Sequence, residues 1–117
     1  MASKEPIVDM ELIKTRTVCD DECALLVFKV LTGERKGDEV TFFSPLSGSV
    51  PQQVRLARAV NACGVGKDWD LKEVEQPGMV NSEEILGLAP GKVVSGFVSW
   101  DERRNQWQAS YILSGKK

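Results

Sequence analysis

The stretch from Cys23 to Phe43, CALLVFKVLTGERKGDEVTFF, limits what this chain can fold into more than any other. Cys23 to Leu31 is apolar except for Lys29, is rich in Val, Leu and Phe, and closes at Thr32-Gly33. It is too short for a typical helix, so it reads as a buried strand. Val40-Thr41-Phe42-Phe43 reads as a second strand. The intervening GERKG, with two glycines and three charges, has the composition of an exposed hairpin loop.

At 117 residues the chain is one domain's length. Its 42% apolar and 27% charged residues are those of an ordinary globular protein. No run approaches the roughly 18 apolar residues of a membrane span. The opening MASKEPIVDM is polar and contains acids, unlike a secretion signal or a mitochondrial presequence. Three cysteines, an odd number, argue against a disulfide framework and for three free thiols in a reducing cytoplasm. The sequence contains no histidine, which removes the commonest general base and excludes Ser-His-Asp or Cys-His catalysis within the chain. A formal charge of −2 is not that of a strongly basic duplex-binding domain.

Residues 1–6 read as a flexible arm, 7–114 as the domain and 115–117 as a basic tail. Ile7 to Cys19 reads as the first strand, with Met10 and Leu12 alternating against Asp9 and Glu11, and Asp20-Asp21-Glu22 as a solvated acidic turn. The hairpin supplies strands two and three. Ser49 and Gln52 form a capping-box pattern with Pro51 in the first turn, which predicts a helix to about Cys63 with Gly64 as its C-cap glycine. Val50, Val54, Ala57 and Val60 form its apolar face, and Gln52, Arg55, Arg58 and Asn61 a solvated one. Val65 to Val80 is a long excursion without clear period. A second capping box, Asn81 and Glu84, predicts a short helix from Ser82 to Leu88. Lys92 to Trp100 and Gln106 to Leu113 alternate as two further strands around a charged turn. In the last, Trp107, Ala109, Tyr111 and Leu113 share a side, so Trp107 and Tyr111 are expected to be both core or both surface.

The order is three strands, a helix, a short helix and two strands. It predicts a mainly β fold, a five-stranded OB-like Greek-key barrel with a helix between strands 3 and 4. A ferredoxin-like order fits less well because no helix follows the first strand. The stretch LLVFKVLTGERKGDEVTFF resembles phage-encoded proteins related to single-stranded-DNA-binding proteins. In these, an apolar strand ends in a V-x-x-G-x-x-K-G turn, here Val30, Gly33, Lys36 and Gly37, and continues into an aromatic strand. The helix end ARAVNACGV (57–65), the EILG at 84–87 followed by Gly91-Lys92-Val93-Val94, and the spacing of Asn105 and Tyr111 extend the resemblance over residues 7–113. It implies an OB-like domain that coats single-stranded DNA in phage-type replication or recombination, in the host-cell cytoplasm. The partners it implies are single-stranded DNA and replication or recombination proteins, and the chain is compatible with a homo-oligomer.

Single-strand binding needs cations along a groove and flat side chains for base stacking. The candidates are Lys29, Arg35, Lys36, Arg103 and Arg104 as cations, with Phe43, Trp100, Trp107 and Tyr111 as rings. Lys92 and Phe97 are further members of the two classes. Trp100, beside a charged turn, is the ring expected at the surface. Cys19 and Cys23 have the spacing of some metal pairs, but four-ligand zinc would need carboxylates or a second chain. Nothing sets two of Asp20, Asp21 and Asp101 across a pocket as a hydrolase requires. The chain therefore reads as a binding protein, not an enzyme, with no cofactor and no metal. The alternative is a small protein-interaction module, an adaptor or inhibitor, on the same barrel.

Overall fold

The computed structural model describes residues 7–20, 22–64, 72, 74, 80 and 82–115. They form a mainly β domain: β1 (Ile7–Val18), β2 (Cys23–Val30), β3 (Glu39–Pro45), α1 (Val50–Cys63), α2 (Ser82–Leu86), β4 (Val93–Asp101) and β5 (Gln106–Gly115). The strands make one five-stranded mixed sheet, paired in the order β1-β2-β3-β5-β4, with β4 antiparallel to β1 as well. All pairings are antiparallel except β3 with β5, which meet through a single parallel pair, Thr41 with Gln108. The helix α1 lies between β3 and β4 and packs mainly on β5, while α2 packs on β1.

The β2–β3 loop shows why its glycines stand where they do. Gly33 and Gly37 have φ of 82° and 95°, a region in which a side chain is strained. Gly37 N–H donates to Val30 O at 2.8 Å and Val30 N–H to Asp38 O at 2.9 Å, closing the loop. Gly96 answers a different need. A Cβ there would lie 2.5 Å from Tyr111 O and 2.7 Å from Met10 Cε, so its hydrogen lets β1, β4 and β5 approach at a corner.

The inward-facing side chains form one core. Met10, Leu12, Leu26, Phe28, Phe42, Leu56, Ile85 and Ile112 are fully buried, each contributing about 1.5–3 kcal/mol by leaving water. Val74 and Val80 join the same cluster, so part of the 65–80 excursion reaches the core.

Two expectations require correction, and the expected C-cap glycine is in place for a reason of space. The buried face of α1 is Gln53, Leu56, Ala57, Ala59, Val60 and Cys63, rotated from the expected stripe, with Val50 and Val54 at its margin. Gln53 takes a core position because its amide is satisfied there: Nε2 donates to Leu46 O, and Oε1 accepts from Val80 N–H. Gly64 does end α1, but at φ −80°. It is required by space, since a Cβ would sit 2.5 Å from Val60 O. Finally, Trp107 and Tyr111 do not share a side. Val98 pairs with Ala109 and Phe97 with Tyr111, so the register shifts by one residue at Ser110. This bulge reverses the phase, burying Ala109 and Ile112 and turning Tyr111 outward.

Smaller differences concern ends. β3 begins at Glu39 and runs to Pro45, α2 stops at Leu86, and β5 runs to Gly115. The Gln52 half of the first capping box is present, with Oε1 accepting from Ser49 N–H at 2.8 Å. The arm at 1–6, Lys116, Lys117 and the Asn81 cap lie outside the described residues.

Candidate functional site: a cationic concavity beside the β4–β5 hairpin

β2 and β3 turn Leu25 and Phe43 outward as a paired row, while Ala24, Leu26 and Phe42 face the core. The β4–β5 hairpin folds back over this row, and the Arg104 guanidinium lies 4.0 Å above the Phe43 ring. Asp101 shapes the hairpin tip. Its Oδ1 accepts from the N–H of Arg103 at 3.0 Å and of Arg104 at 3.4 Å, and its Oδ2 is 3.9 Å from Arg104 Nε.

Between this tip, β3 and the first turns of α1 is an open concavity of about 300 Å³. Phe43, Pro45 and Gln108 line it, and three guanidinium groups, Arg55, Arg103 and Arg104, border it against the single carboxylate of Asp101. Arg103 and Arg104 are exposed. At 3.9 Å, with the Arg104 side chain 40% exposed, the ion pair with Asp101 holds Arg104 only weakly.

Arg55 corrects the reading of α1 as carrying a solvated Arg face. It lies across the seam between β3 and β5, its Nη2 donating to Phe43 O at 2.9 Å and its Nη1 to Ser110 O at 3.0 Å. The guanidinium sits 4.4 Å over Phe42. Burial pulls its pKa below the ordinary arginine value, and the nearby Tyr111 partly opposes this. Arg58 likewise covers the Tyr111 ring, at 5.4 Å, and its Nε is buried without a hydrogen-bond partner. Both side chains lay apolar stems along the sheet.

The nine residues expected to bind separate into groups. Phe43, Arg103 and Arg104 come together at the concavity. Arg35, Trp100 and Trp107 form a second cluster at the other side of the hairpin. Arg35 lies 4.5 Å over Trp107, and the two indoles meet edge to face at 5.6 Å. Trp107 is half-buried against the core, whereas Trp100 is 45% exposed. Lys29 is exposed but stands in register between Glu11 on β1 and Glu39 on β3, opposite charges on neighbouring strands that favour one another. Lys36 is exposed on the β2–β3 loop beside Arg35 and does not line the concavity. Tyr111 lies under Arg58 beside α1, away from the concavity.

Lys14 and Arg16 extend the surface and were not among the candidates. Both are exposed, and Arg16 is opposite Leu25, in the row that ends at Phe43 and Arg104. Plain alternation from Leu12 would place them inside. Lys14 pairs with Val27 directly after Leu12 pairs with Phe28, so Ile13 is skipped and the phase reverses.

Among the described residues, no three His, Cys, Asp or Glu side chains come together to hold a metal, and no helix is long and apolar enough to cross a membrane. Comparison of the chain with protein-family models, curated proteins and solved structures finds no match.

Proposed function

We propose that this chain is an OB-like Greek-key barrel that binds single-stranded DNA with little sequence preference, in phage-type replication or recombination. The ring of strand pairings supports the fold reading, since β1-β2-β3-β5-β4 returning to β1 is the order of a closed five-stranded sheet. The observation that carries the functional reading is the concavity where Arg103, Arg104 and Arg55 gather around Phe43.

A single strand offers phosphates and exposed base faces, and both have a counterpart here. The upper face of Phe43 is covered by Arg104, so a base stacks on the guanidinium plane of Arg104 or displaces it. Trp100, on the far side of the hairpin, offers a second platform. Arg16 and Lys14 continue the cationic row across β2 onto β1. The net acidity of the chain makes the affinity modest and strongly dependent on salt.

A titration with oligo-dT, following tryptophan fluorescence, tests the reading. Quenching is expected at low salt. Trp100→Ala should cost about 1–3 kcal/mol of binding for each base it stacks. Arg103→Ala with Arg104→Ala should flatten the slope of log K against log salt by about 0.7 per cation lost. If oligo-dT neither quenches fluorescence nor shifts the protein on a gel at low salt, the DNA reading fails and the protein-interaction reading takes its place.

A further inference from the structure

The β1–β2 turn carries a pair of cysteines that neither the fold nor the concavity uses. The last paired residues of this hairpin are Val18 and Cys23, so Cys19 is the first residue of the turn and Cys23 the first residue beyond it. Opposite Cα atoms in an antiparallel pair lie about 4.5–5.5 Å apart. Cys19 and Asp20 both have positive φ, 57° and 56°, which curls the chain back at once. Glu22 N–H then donates to Cys19 O at 3.2 Å. The turn is also tethered from outside, because Leu46 N–H donates to Glu22 O at 2.8 Å. Cys19 adjoins the last pair of the hairpin, and its thiol is close enough to that of Cys23 for a hydrogen bond, a placement from which the disulfide span of about 4.4–6.8 Å between Cα atoms is reached.

We propose that Cys19 and Cys23 are an oxidisable dithiol that forms a reversible intramolecular disulfide with hydrogen peroxide as oxidant. The roles follow from position. Cys19 is exposed and Cys23 half-buried, while Cys63 is fully buried in the core. Cys19 is therefore the thiol that peroxide reaches. Its thiolate attacks one peroxide oxygen, the O–O bond breaks, and the departing hydroxide takes a proton to leave as water, giving a sulfenic acid. The Cys23 sulfur then attacks the Cys19 sulfur, the S–O bond breaks, and the hydroxide leaves as a second water with the Cys23 proton. Two thiols lose two electrons and two hydrogens, and one peroxide becomes two waters.

The surroundings fit a resolving role for Cys23. Burial raises its pKa, with a hydrogen bond to the Cys19 thiol and the charge of Glu22 adding to the rise and Arg104 opposing it. The raised pKa makes Cys23 a slow target for peroxide itself. The left-handed backbone at Cys19 and the very short loop give the bridge little entropic support, and exposed or strained disulfides are the readily reduced ones. Cys23 pairs with Pro45, a wall of the concavity, so the dithiol stands at its edge. The inference does not rest on the DNA reading and holds whatever ligand the concavity takes.

The test is a thiol count on the folded, full-length protein before and after hydrogen peroxide, read after unfolding in denaturant, with peptide mapping. Three thiols are expected before treatment and one, Cys63, after it. The peptide pair containing Cys19 and Cys23 should lose the mass of two hydrogens, and dithiothreitol should restore it. Cys19→Ser and Cys23→Ser should each abolish the intramolecular bridge; Cys23→Ser should leave a sulfenic acid or a cross-link between chains at Cys19, and Cys19→Ser should leave both remaining thiols reduced. Three thiols surviving in the treated wild-type protein would overturn the proposal. So would a bridge involving Cys63, or oxygen added at Cys19 while Cys23 stays free.

Discussion

Replacing Arg55 by methionine probes how the chain holds together the weakest junction of its sheet. β3 and β5 share one Cα pair, and above it the carbonyls of Phe43 and Ser110 turn to the Arg55 guanidinium, at 2.9 and 3.0 Å. Methionine keeps an apolar stem over Phe42 but removes both donors. Hydrogen bonds to a charged group are worth about 1.5–3 kcal/mol each. Two effects reduce the net loss. Burial already disfavours the guanidinium charge, so its removal returns some desolvation cost. Both hydrogen bonds are also only partly buried, so water can replace part of what is lost. Starting from the lower end for each bond and returning about a third leaves a destabilisation of about 2 kcal/mol. With a urea slope of about 2 kcal/mol/M, unchanged by the substitution, the midpoint falls by about 1 M. Arg55→Lys keeps the charge but lacks the planar fork, so it should lose about half as much. Equilibrium urea unfolding followed by tryptophan fluorescence measures both variants. A shift of less than about 0.25 M for Arg55→Met would refute the argument, because the seam would then be held without the bridge.

Gly96→Ala should destabilise by about 1–3 kcal/mol, because its Cβ meets the Tyr111 carbonyl at 2.5 Å, and thermal unfolding reads the loss. Burial pushes the Cys63 thiol from 9.0 up to about 12. A raised folded-state pKa gives stability that is complete below the unfolded value and lost as pH rises through the folded one. The fall should therefore span about pH 9 to 12, and Cys63→Ala, though less stable at neutral pH, should lack this component in the same unfolding series.

Much of the fold is legible because it rests on local signals. The apolar run at 23–31, the glycines at 33 and 37, and Ser49 with Gln52 each act over a few residues, and the hairpin and α1 appear where these place them. The misread parts depend on partners distant in sequence. Ile13 and Ser110 each shift a strand by one residue, yet nothing in the composition around them marks a bulge, so plain alternation set Tyr111 on the side of Trp107 and offered no sign that Lys14 and Arg16 face outward. Gln53 is absent from the apolar stripe because its partners, Leu46 and Val80, are supplied only by the fold. Arg55 and Arg58 read as solvated because charge is visible in a sequence, whereas the rings and carbonyls that receive them are not. The candidate site was legible in part for the same reason. Phe43, Arg103 and Arg104 meet across a hairpin that the sequence pattern suggested, and Arg55 joins them only through the β3–β5 junction.

The register shift at Ser110 also gives β5 slack. Its two halves are in opposite phase: Trp107 and Ala109 answer to the hairpin end and Ile112 to the far end of the core. A strand in strict alternation has no spare residue, and losing one would turn everything beyond it inside out. Here one residue can be lost at the bulge, and the ladder straightens with Ala109 and Ile112 still inside. β5 can thus absorb a single-residue deletion at Ser110, at the cost of the carbonyl that Arg55 holds.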